Sequence, residues 1–191
     1  LEIVDLMSTK DFLDASIRNV IKTLFEAILL VILVVFIFLQ SFRSTIIPTI
    51  SIIVSLVGTF AFLMVAGFSL NMITLFALVL VIGTVVDDSI VVVEAVQAKF
   101  DAGYRSPYKA TVEAMGGITS ALIATTFVFM AVFIPVSFMG GTTGTFYTQF
   151  GLTMAVAVGL SLLNSLTTSP ALCALIMTPH ADVSSGEKAS F

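Results

Sequence analysis

The chain has 191 residues and a formal net charge of -4, and only 10% of its residues are charged whereas 58% are hydrophobic. Soluble domains carry about 25% charged residues, so this composition, with a mean hydropathy of +1.14, indicates an integral membrane protein. The sparse charges form no basic stripe, which excludes nucleic-acid binding. The single cysteine, Cys173, excludes an intrachain disulfide, and nothing suggests a metal site.

The chain opens with "LEIVDLMS", in which apolar and polar residues alternate as at the end of a β-strand. The first long apolar run begins near Val20 and is longer than the apolar core of a signal peptide, so we predict no signal peptide. We expect residues 1–18 to be the end of a domain outside the membrane and its linker, in a chain cut from a longer protein.

Five apolar runs are long enough to cross a bilayer, which takes about 20 helical residues. The predicted spans are 20–39, 45–66, 70–96, 118–136 and 150–177. We expect Pro48 in the first turn of the second span, where its missing N–H is tolerated. Pro170 is expected to kink the fifth span or to start a turn. Residues 19–177 thus predict an all-α membrane bundle, followed by a polar tail over 178–191.

The linkers between the spans differ in charge, and the difference predicts the orientation. Linkers 67–70 and 137–149 carry no Lys or Arg. Linkers 40–44 and 97–117 carry the basic residues Arg43, Lys99, Arg105 and Lys109. The positive-inside rule places these basic linkers and the C-terminal tail in the cytoplasm and the N-terminus outside. Basic residues before the first span conflict with a simple count, but a large translocated domain escapes the rule.

The third linker allows two interpretations. We expect residues 98–117 to form a solvated connector. The alternative is a short amphipathic helix after Ser106 and Pro107, with Lys109 and Glu113 spaced to interact one turn apart.

The stretch "VVDDSIVVVEAV" (85–96) places Asp87 and Asp88 inside an apolar run. A charged Asp at the centre of a spanning helix costs about 2.5 to 3.5 kcal/mol, so we expect both acids to face one wedge between helices rather than lipid. Gly83 and Thr84 lie one turn earlier on the same face; Gly83 would let another backbone approach, and Thr84 offers a hydroxyl. Carboxyls in such surroundings can hold a proton and release it near a cation. The alternative is a helix that ends near Val86, leaving both acids hydrated.

Other polar positions carry less information. We expect Glu26 and Glu94, near the ends of their spans, to reach water, and His180 in the tail to be solvated. Small residues on the fifth span predict close packing against another helix; they are Gly151, Ala155, Ala157 and Gly159.

The stretch "GFSLNMITLFALVLVIGTVVDDSIVVVEAV" (67–96) resembles the fourth transmembrane helix of resistance-nodulation-division (RND) efflux pumps, the AcrB-like hydrophobe/amphiphile exporters, with their paired Asp. The resemblance extends from the second to the sixth helix of the N-terminal half of such pumps. It also rests on "FLQSFRSTIIPTI" (38–50), "FIPVSFMGGTTGTFYTQFGLTMA" (133–155) and "SPALCALIM" (169–177). One departure is Ala95, where the family usually has Asn.

The resemblance implies a fragment of a proton-driven drug antiporter of the bacterial inner membrane, with five of the six helices of one half and the end of a periplasmic strand. It implies that Asp87 and Asp88 form the proton relay, with Thr84 and Gly83 as possible support, and that protons are the coupling ion without any cofactor. The implied partners are a Lys counter-charge in the remaining half of the pump, two further copies in a homotrimer, a periplasmic adaptor, an outer-membrane channel, and hydrophobic or amphiphilic substrates.

Three other functions remain open from the sequence. An intramembrane aspartyl protease also buries two acids, but its carboxylates face one water from two helices, whereas Asp87 and Asp88 are neighbours in sequence. A lipid, sterol or secretion transporter of the same superfamily would carry similar helices. The chain alone could also be a non-transporting membrane anchor or assembly fragment, whose acids stay protonated without a Lys partner.

Overall fold

The structure, a computed structural model, describes residues 9–68, 71–141 and 143–179. The predicted strand over "LEIVDLMS" and the predicted exposure of His180 lie outside these residues. Within them, the five elements are α1 (Thr9–Leu39), α2 (Phe42–Val65), α3 (Met72–Asp101), α4 (Pro107–Val136) and α5 (Gly144–Ile176). All five helices are long and apolar enough to cross a membrane, which confirms the all-α membrane fold.

Short connections make successive helices antiparallel. At one end of the bundle, named here the basic end, α1, α3 and α5 finish and α2 and α4 begin. Arg43 Nη1 donates to Thr178 Oγ1 there at 3.1 Å, which joins the start of α2 to the end of α5. At the opposite end, the Asn71 amide before α3 donates to the Gln149 side chain in α5. The helices are therefore tied across the bundle at both ends.

Polar caps explain where three helices begin. The side chain of Ser41 accepts from Ser44 N at 3.4 Å before α2, and Ser106 does the same for Lys109 N at 3.5 Å before α4. Asn71 accepts from the backbone N–H groups of Ile73 and Thr74 before α3. Each cap bonds backbone N–H groups that the first turn of a helix leaves without a partner.

The predicted solvated connector was wrong. Helix α3 continues to Asp101 and α4 begins at Pro107, so only residues 102–106 separate them. The alternative holds in part, since Ser106 and Pro107 do start a helix, but that helix runs without a break into the fourth span. Glu113 pairs with Lys99 of α3, at 3.9 Å. Hydropathy failed here because helices extend past the apolar layer into water, where their charged residues are well solvated.

Pro48 departs from expectation, and one of the two alternatives for Pro170 is removed. Helix α2 begins at Phe42, three residues before the predicted start, so Pro48 lies in its second turn. Helix α5 continues through Pro170 to Ile176, so no turn starts at that proline. The first helix also begins at Thr9, well before the predicted Val20.

Helix α3 is the centre of the bundle. It contributes residues to each of the three buried apolar clusters, such as Val93 in the cluster of α2 to α5, Ile82 in the cluster with α1 and α2, and Val81 in the cluster with α5. Helix α1, by contrast, is exposed along most of its length. The backbone at the midpoint of α3 therefore lies near the centre of the described bundle.

Candidate functional site

The paired acids lie halfway along α3. Fifteen residues of the helix precede Asp87 and fourteen follow it. The helix does not end at Val86, which removes the alternative that both acids are hydrated beyond its end. Because α3 is apolar for about four turns before the acids and for about one turn after them, both acids lie within the apolar part of the helix, where unpaired charge is costly.

Asp88 faces the neighbouring helix α5. Its carboxylate Oδ2 accepts a hydrogen bond of 2.8 Å from Ser161 Oγ, and its side chain is half-buried. Thr84, one turn earlier, uses its hydroxyl within its own helix, since Oγ1 donates to the Val81 carbonyl at 2.9 Å. The hydroxyl next to this acid therefore comes from α5 and not from Thr84.

Asp87 lies on a different face. It belongs to an exposed line of α3 side chains, named here the open stripe, which consists of Met72, Phe76, Leu80, Gly83, Asp87, Val91 and Glu94. Adjacent side chains on a helix point about 100° apart, so only Asp88 reaches another described helix. The two acids do not share one wedge among the described helices, and the prediction that they face one wedge between helices of the whole protein stays a prediction.

Gly83 is also on the open stripe. No atom lies within 4 Å of the position that a Cβ there would occupy, so no described helix makes the predicted close approach. The open stripe thus has no protruding side chain at Gly83, one turn before Asp87. A helix that is not among the described residues has room to pack there.

The described part of the chain provides neither acid with a counter-charge. Lys22 instead pairs with exposed Glu26 at 3.7 Å, and Lys99 pairs with Glu113 at 3.9 Å. Glu94 is exposed on the open stripe, and the prediction that both glutamates reach water stays a prediction. Among the same residues, no group of three or more His, Cys, Asp or Glu side chains could hold a metal ion.

A buried polar cluster lies beside Asp88, between α2, α3 and α5, and the sequence argument missed it. The hydroxyls of Ser51 and Ser169 are 2.9 Å apart, and Asn164 Nδ2 donates to the Ser51 carbonyl at 3.0 Å. Its other members are Ser55, Ser89, Ser161 and Ser165, all buried. The signal was present in "GLSLLNSLTTSP" (159–170), where serines recur every four residues on one face of an apolar helix.

The small residues of α5 pack closely as predicted: the two glycines lie against α4, and Ala157 lies in the cluster with α3. A Cβ on Gly151 would lie 2.8 Å from the Phe133 carbonyl oxygen, and one on Gly159 would lie 2.8 Å from Met130 Cε. Ala155 and Ala157 are buried. This close contact fixes the face that α5 turns toward α3, and so places Ser161 opposite Asp88.

Comparisons with known proteins assign the sequence of the chain to a family. The sequence model of the AcrB/AcrD/AcrF family matches residues 1–190. The chain is 48% identical over 171 residues to the multidrug export protein AcrF of Escherichia coli K12, an alignment that covers 90% of the chain and 16% of AcrF. It is 43% identical over all 191 residues to the solvent-resistant pump membrane transporter SrpB of Pseudomonas putida, covering 18% of that protein.

A third relative is the toluene efflux pump membrane transporter TtgB, also of Pseudomonas putida, 49% identical over 164 residues, which cover 86% of the chain and 16% of TtgB. The chain spans less than a fifth of the length of each of these relatives. Its five long apolar helices make it a multi-pass membrane protein. From the match along nearly its whole length, the chain belongs to the AcrB/AcrD/AcrF family of RND multidrug efflux transporters.

Proposed function

We propose that the chain is the part of a proton-driven efflux pump of the bacterial inner membrane in which Asp87 and Asp88 bind and release protons. The pump would export hydrophobic or amphiphilic compounds, in keeping with the drug, solvent and toluene transport for which the three relatives are named. Protons would be the coupling ion, with no cofactor.

The position of the two acids is the observation that carries the proposal. Asp88 is held to α5 by Ser161, while Asp87 lies one residue away on the open stripe. An unpaired charge at this depth costs about 2.5 to 3.5 kcal/mol, and one proton crossing the membrane gains about 2.3 kcal/mol per 100 mV. The two energies are similar, so protonating one acid can shift the equilibrium between two packings of the helices.

The open stripe gives the proposal its second element. Because Asp87 has no ion pair among the described residues, we infer that the remaining half of the pump covers this stripe and supplies a Lys counter-charge. Thr84 and Gly83 would support the relay, Gly83 by leaving room for that helix. The parent pump would be a homotrimer that works with a periplasmic adaptor and an outer-membrane channel.

We also propose an orientation. The basic end, with Arg43, Lys99, Arg105 and Lys109, would lie in the cytoplasm together with the C-terminus, and the N-terminus would lie in the periplasm. The positive-inside rule supports this assignment, since the connections at the opposite end carry no Lys or Arg.

The proposal can be tested in a chimera in which this chain replaces the matching segment of full-length AcrF, expressed in cells without other drug exporters. Asp87→Asn and Asp88→Asn should each reduce efflux of a fluorescent amphiphilic cation to the rate of cells without the pump. The physical reason is that an Asn side chain neither binds nor releases a proton in the pH range of the cell. Assembly should be unchanged, as measured by the amount of cross-linked oligomer.

Asp101→Asn is the matched control, because Asp101 is an exposed carboxyl at the end of the same helix. It should export like the parent chimera. Undiminished efflux by both Asp87→Asn and Asp88→Asn would contradict the proposal, and so would an assembled parent chimera that exports nothing.

The lack of a described counter-charge favours a second role for the chain in isolation, that of a non-transporting membrane anchor or assembly unit. Without a Lys partner, its acids should stay protonated. Reconstituted alone in liposomes with a pH-sensitive dye inside, the chain should then carry no proton flux above that of empty liposomes. Acid-dependent flux would show that the isolated chain is itself active.

A further inference from the structure

The strongest unexplained feature lies within the buried polar cluster. Ser161, Ser165 and Ser169 follow one another at intervals of four residues along α5, and each is at most 1% exposed. We name these three residues the serine column. Each buried hydroxyl in an apolar helix requires a hydrogen-bond partner.

Both ends of the serine column are bonded to other helices. Ser161 Oγ donates to Asp88 Oδ2 at 2.8 Å. Ser169 Oγ lies 2.9 Å from Ser51 Oγ of α2 and 3.5 Å from Ser89 Oγ of α3. The column therefore begins at the carboxyl of the relay and ends at a hydroxyl on α2.

The middle of the column is different. Ser165 Oγ is buried and has no hydrogen-bond partner among the described residues. The adjacent Asn164 donates its Nδ2 to the Ser51 carbonyl, but its Oδ1 is likewise buried without a partner there. Buried polar groups in proteins are nearly always bonded, and small polar sites satisfy them with ordered water. Two such atoms on neighbouring residues are the places where we expect ordered water.

The spacing suits single water molecules. Residues four apart are separated by about 6 Å along a helix, and one water that makes two hydrogen bonds of about 2.8 Å spans nearly that distance. One water on each side of Ser165 would join Ser161, Ser165 and Ser169 into a continuous hydrogen-bonded chain.

A route also leads from Ser51 to the basic end. Ser44 lies two turns before Ser51 on the same buried face of α2, and Pro48 between them has no N–H to donate to the Ser44 carbonyl. Ser44 also lines an open cavity of about 300 Å³ at the basic end, together with Arg43, Gln97 and Thr178. The Ser44 carbonyl, which Pro48 deprives of its usual bond within the helix, thus lies between the cluster and the surface of the bundle.

We propose that the serine column binds ordered water and carries protons between Asp88 and the Ser51 hydroxyl, in the direction of the basic end. The transfer is a relay in which each hydroxyl or water accepts one proton and passes another to its neighbour, so no bond other than O–H changes and no further reactant is needed. The proposal rests on the proposed function, because it presumes that Asp88 takes up and releases protons.

The test uses Ser165→Ala in the purified AcrF chimera, reconstituted in liposomes with a pH-sensitive dye. Loss of the central hydroxyl should slow substrate-driven proton flux by about tenfold, the effect of one lost hydrogen bond in the transition state. The ratio of the proton flux in H2O to that in D2O should rise, because proton transfer becomes the rate-limiting step. Binding of the fluorescent cation should be unchanged.

Thr126→Val is the matched control. Thr126 Oγ1 is also buried and without a described partner, but it lies on α4 outside the column, so this variant should keep the parent flux. If Ser165→Ala lowers the amount of folded protein, Ser169→Ala provides the same test, since it removes the link to Ser51. The water relay would be overturned if Ser165→Ala had the proton flux and the isotope ratio of the parent chimera. It would also be overturned if Thr126→Val slowed the flux as much as Ser165→Ala does.

Asp88→Asn separates this outcome from a failure of the proposed function. If Asp88→Asn blocks proton flux and Ser165→Ala does not, the carboxyl is part of the relay and only the serine column is refuted. If Asp88→Asn has parent flux, the proposed function itself is wrong.

Discussion

Ser161 donates its hydrogen bond to Asp88 from α5, a helix that begins 43 residues after α3 ends. This bond joins the two helices at the level of the acids. The Asn71 to Gln149 bond joins them again at the opposite end of the bundle. Helices α3 and α5 are therefore tied at two levels, so a change in the charge of Asp88 acts directly on the contact between them.

Ser161→Ala tests what this bond contributes. A hydrogen bond to a charged group contributes about 1.5 to 3 kcal/mol, and here it favours the ionised carboxylate that forms when the proton leaves. We expect the export rate of the AcrF chimera to fall by about tenfold or more, and to recover in part when the cytoplasmic pH is raised, since a lower proton concentration favours release. Dye efflux at two pH values measures both effects.

Ser120→Ala is the control for that experiment, because Ser120 is exposed on α4 and should keep the parent rate at both pH values. A Ser161→Ala variant with the parent rate and the parent pH dependence would show that the bond has no part in proton release.

Hydropathy was enough to predict five spans and the position of Asp87 and Asp88 inside the third of them. A long apolar run can avoid unpaired backbone groups in lipid only as a helix, so the number of spans follows from composition. The ends of the helices did not follow, because polar turns such as those around Lys99 and Tyr108 remain helical once they pass into water. The caps at Ser106 and Asn71 were better indicators of helix ends than loss of apolar character.

The partners of the acids could not be predicted in the same way. Hydropathy measures the free energy of transfer of a side chain from water to lipid. It does not indicate which helices face each other, so the contact between Ser161 and Asp88 could not be predicted from it. A helical period in the polar residues of α5 would have indicated a buried face that begins at Ser161. The different surroundings of Asp87 and Asp88 depend on how α5 packs, which in turn depends on the contacts of Gly151 and Gly159 with α4.

Gly151→Ala should destabilise that contact. A Cβ at this position would lie 2.7 Å from Ser137 Oγ and 2.8 Å from the Phe133 carbonyl oxygen, and the backbone oxygen cannot move without shifting α4. Overpacking of this kind costs about 1 to 3 kcal/mol. Thermal unfolding of the purified chain in detergent should show a lower midpoint for Gly151→Ala.

Gly116→Ala is the matched control, because a Cβ there meets no atom within 4 Å and Gly116 lies inside α4. This change should raise stability by up to about 1 kcal/mol, since Ala favours the helix interior more than Gly does. The same sign of change in both variants would contradict the packing argument.

Asn71 has two roles that can be separated by substitution. Its Oδ1 caps α3 by accepting from Ile73 N at 2.9 Å and Thr74 N at 3.0 Å, and its Nδ2 donates to Gln149. Asn71→Ser keeps a good cap and loses only the bond to Gln149, which contributes about 0.5 to 1.5 kcal/mol. Asn71→Ala loses both, so its free energy of unfolding should fall by about 1 kcal/mol more. Equal unfolding midpoints for the two variants would show that the cap does not stabilise the chain.

Cys173 makes the proposed orientation testable by labelling. It is the single cysteine of the sequence and is 0% exposed, so a maleimide should not react with it in the folded protein. Asp101→Cys and Thr145→Cys then place accessible thiols at the basic end and at the opposite end of the bundle, since both positions are exposed.

In spheroplasts that contain the AcrF chimera, with cysteines native to AcrF outside the segment removed, a membrane-impermeant maleimide should label Thr145→Cys at once. Asp101→Cys should be labelled only after the membrane is permeabilised, because the positive-inside rule places the basic end in the cytoplasm. The parent chimera with Cys173 alone should stay unlabelled in both conditions until it is denatured, which shows that the signal comes from the introduced thiols. Labelling of Asp101→Cys before permeabilisation, with Thr145→Cys protected, would reverse the orientation and would place the basic end on the outer side of the membrane.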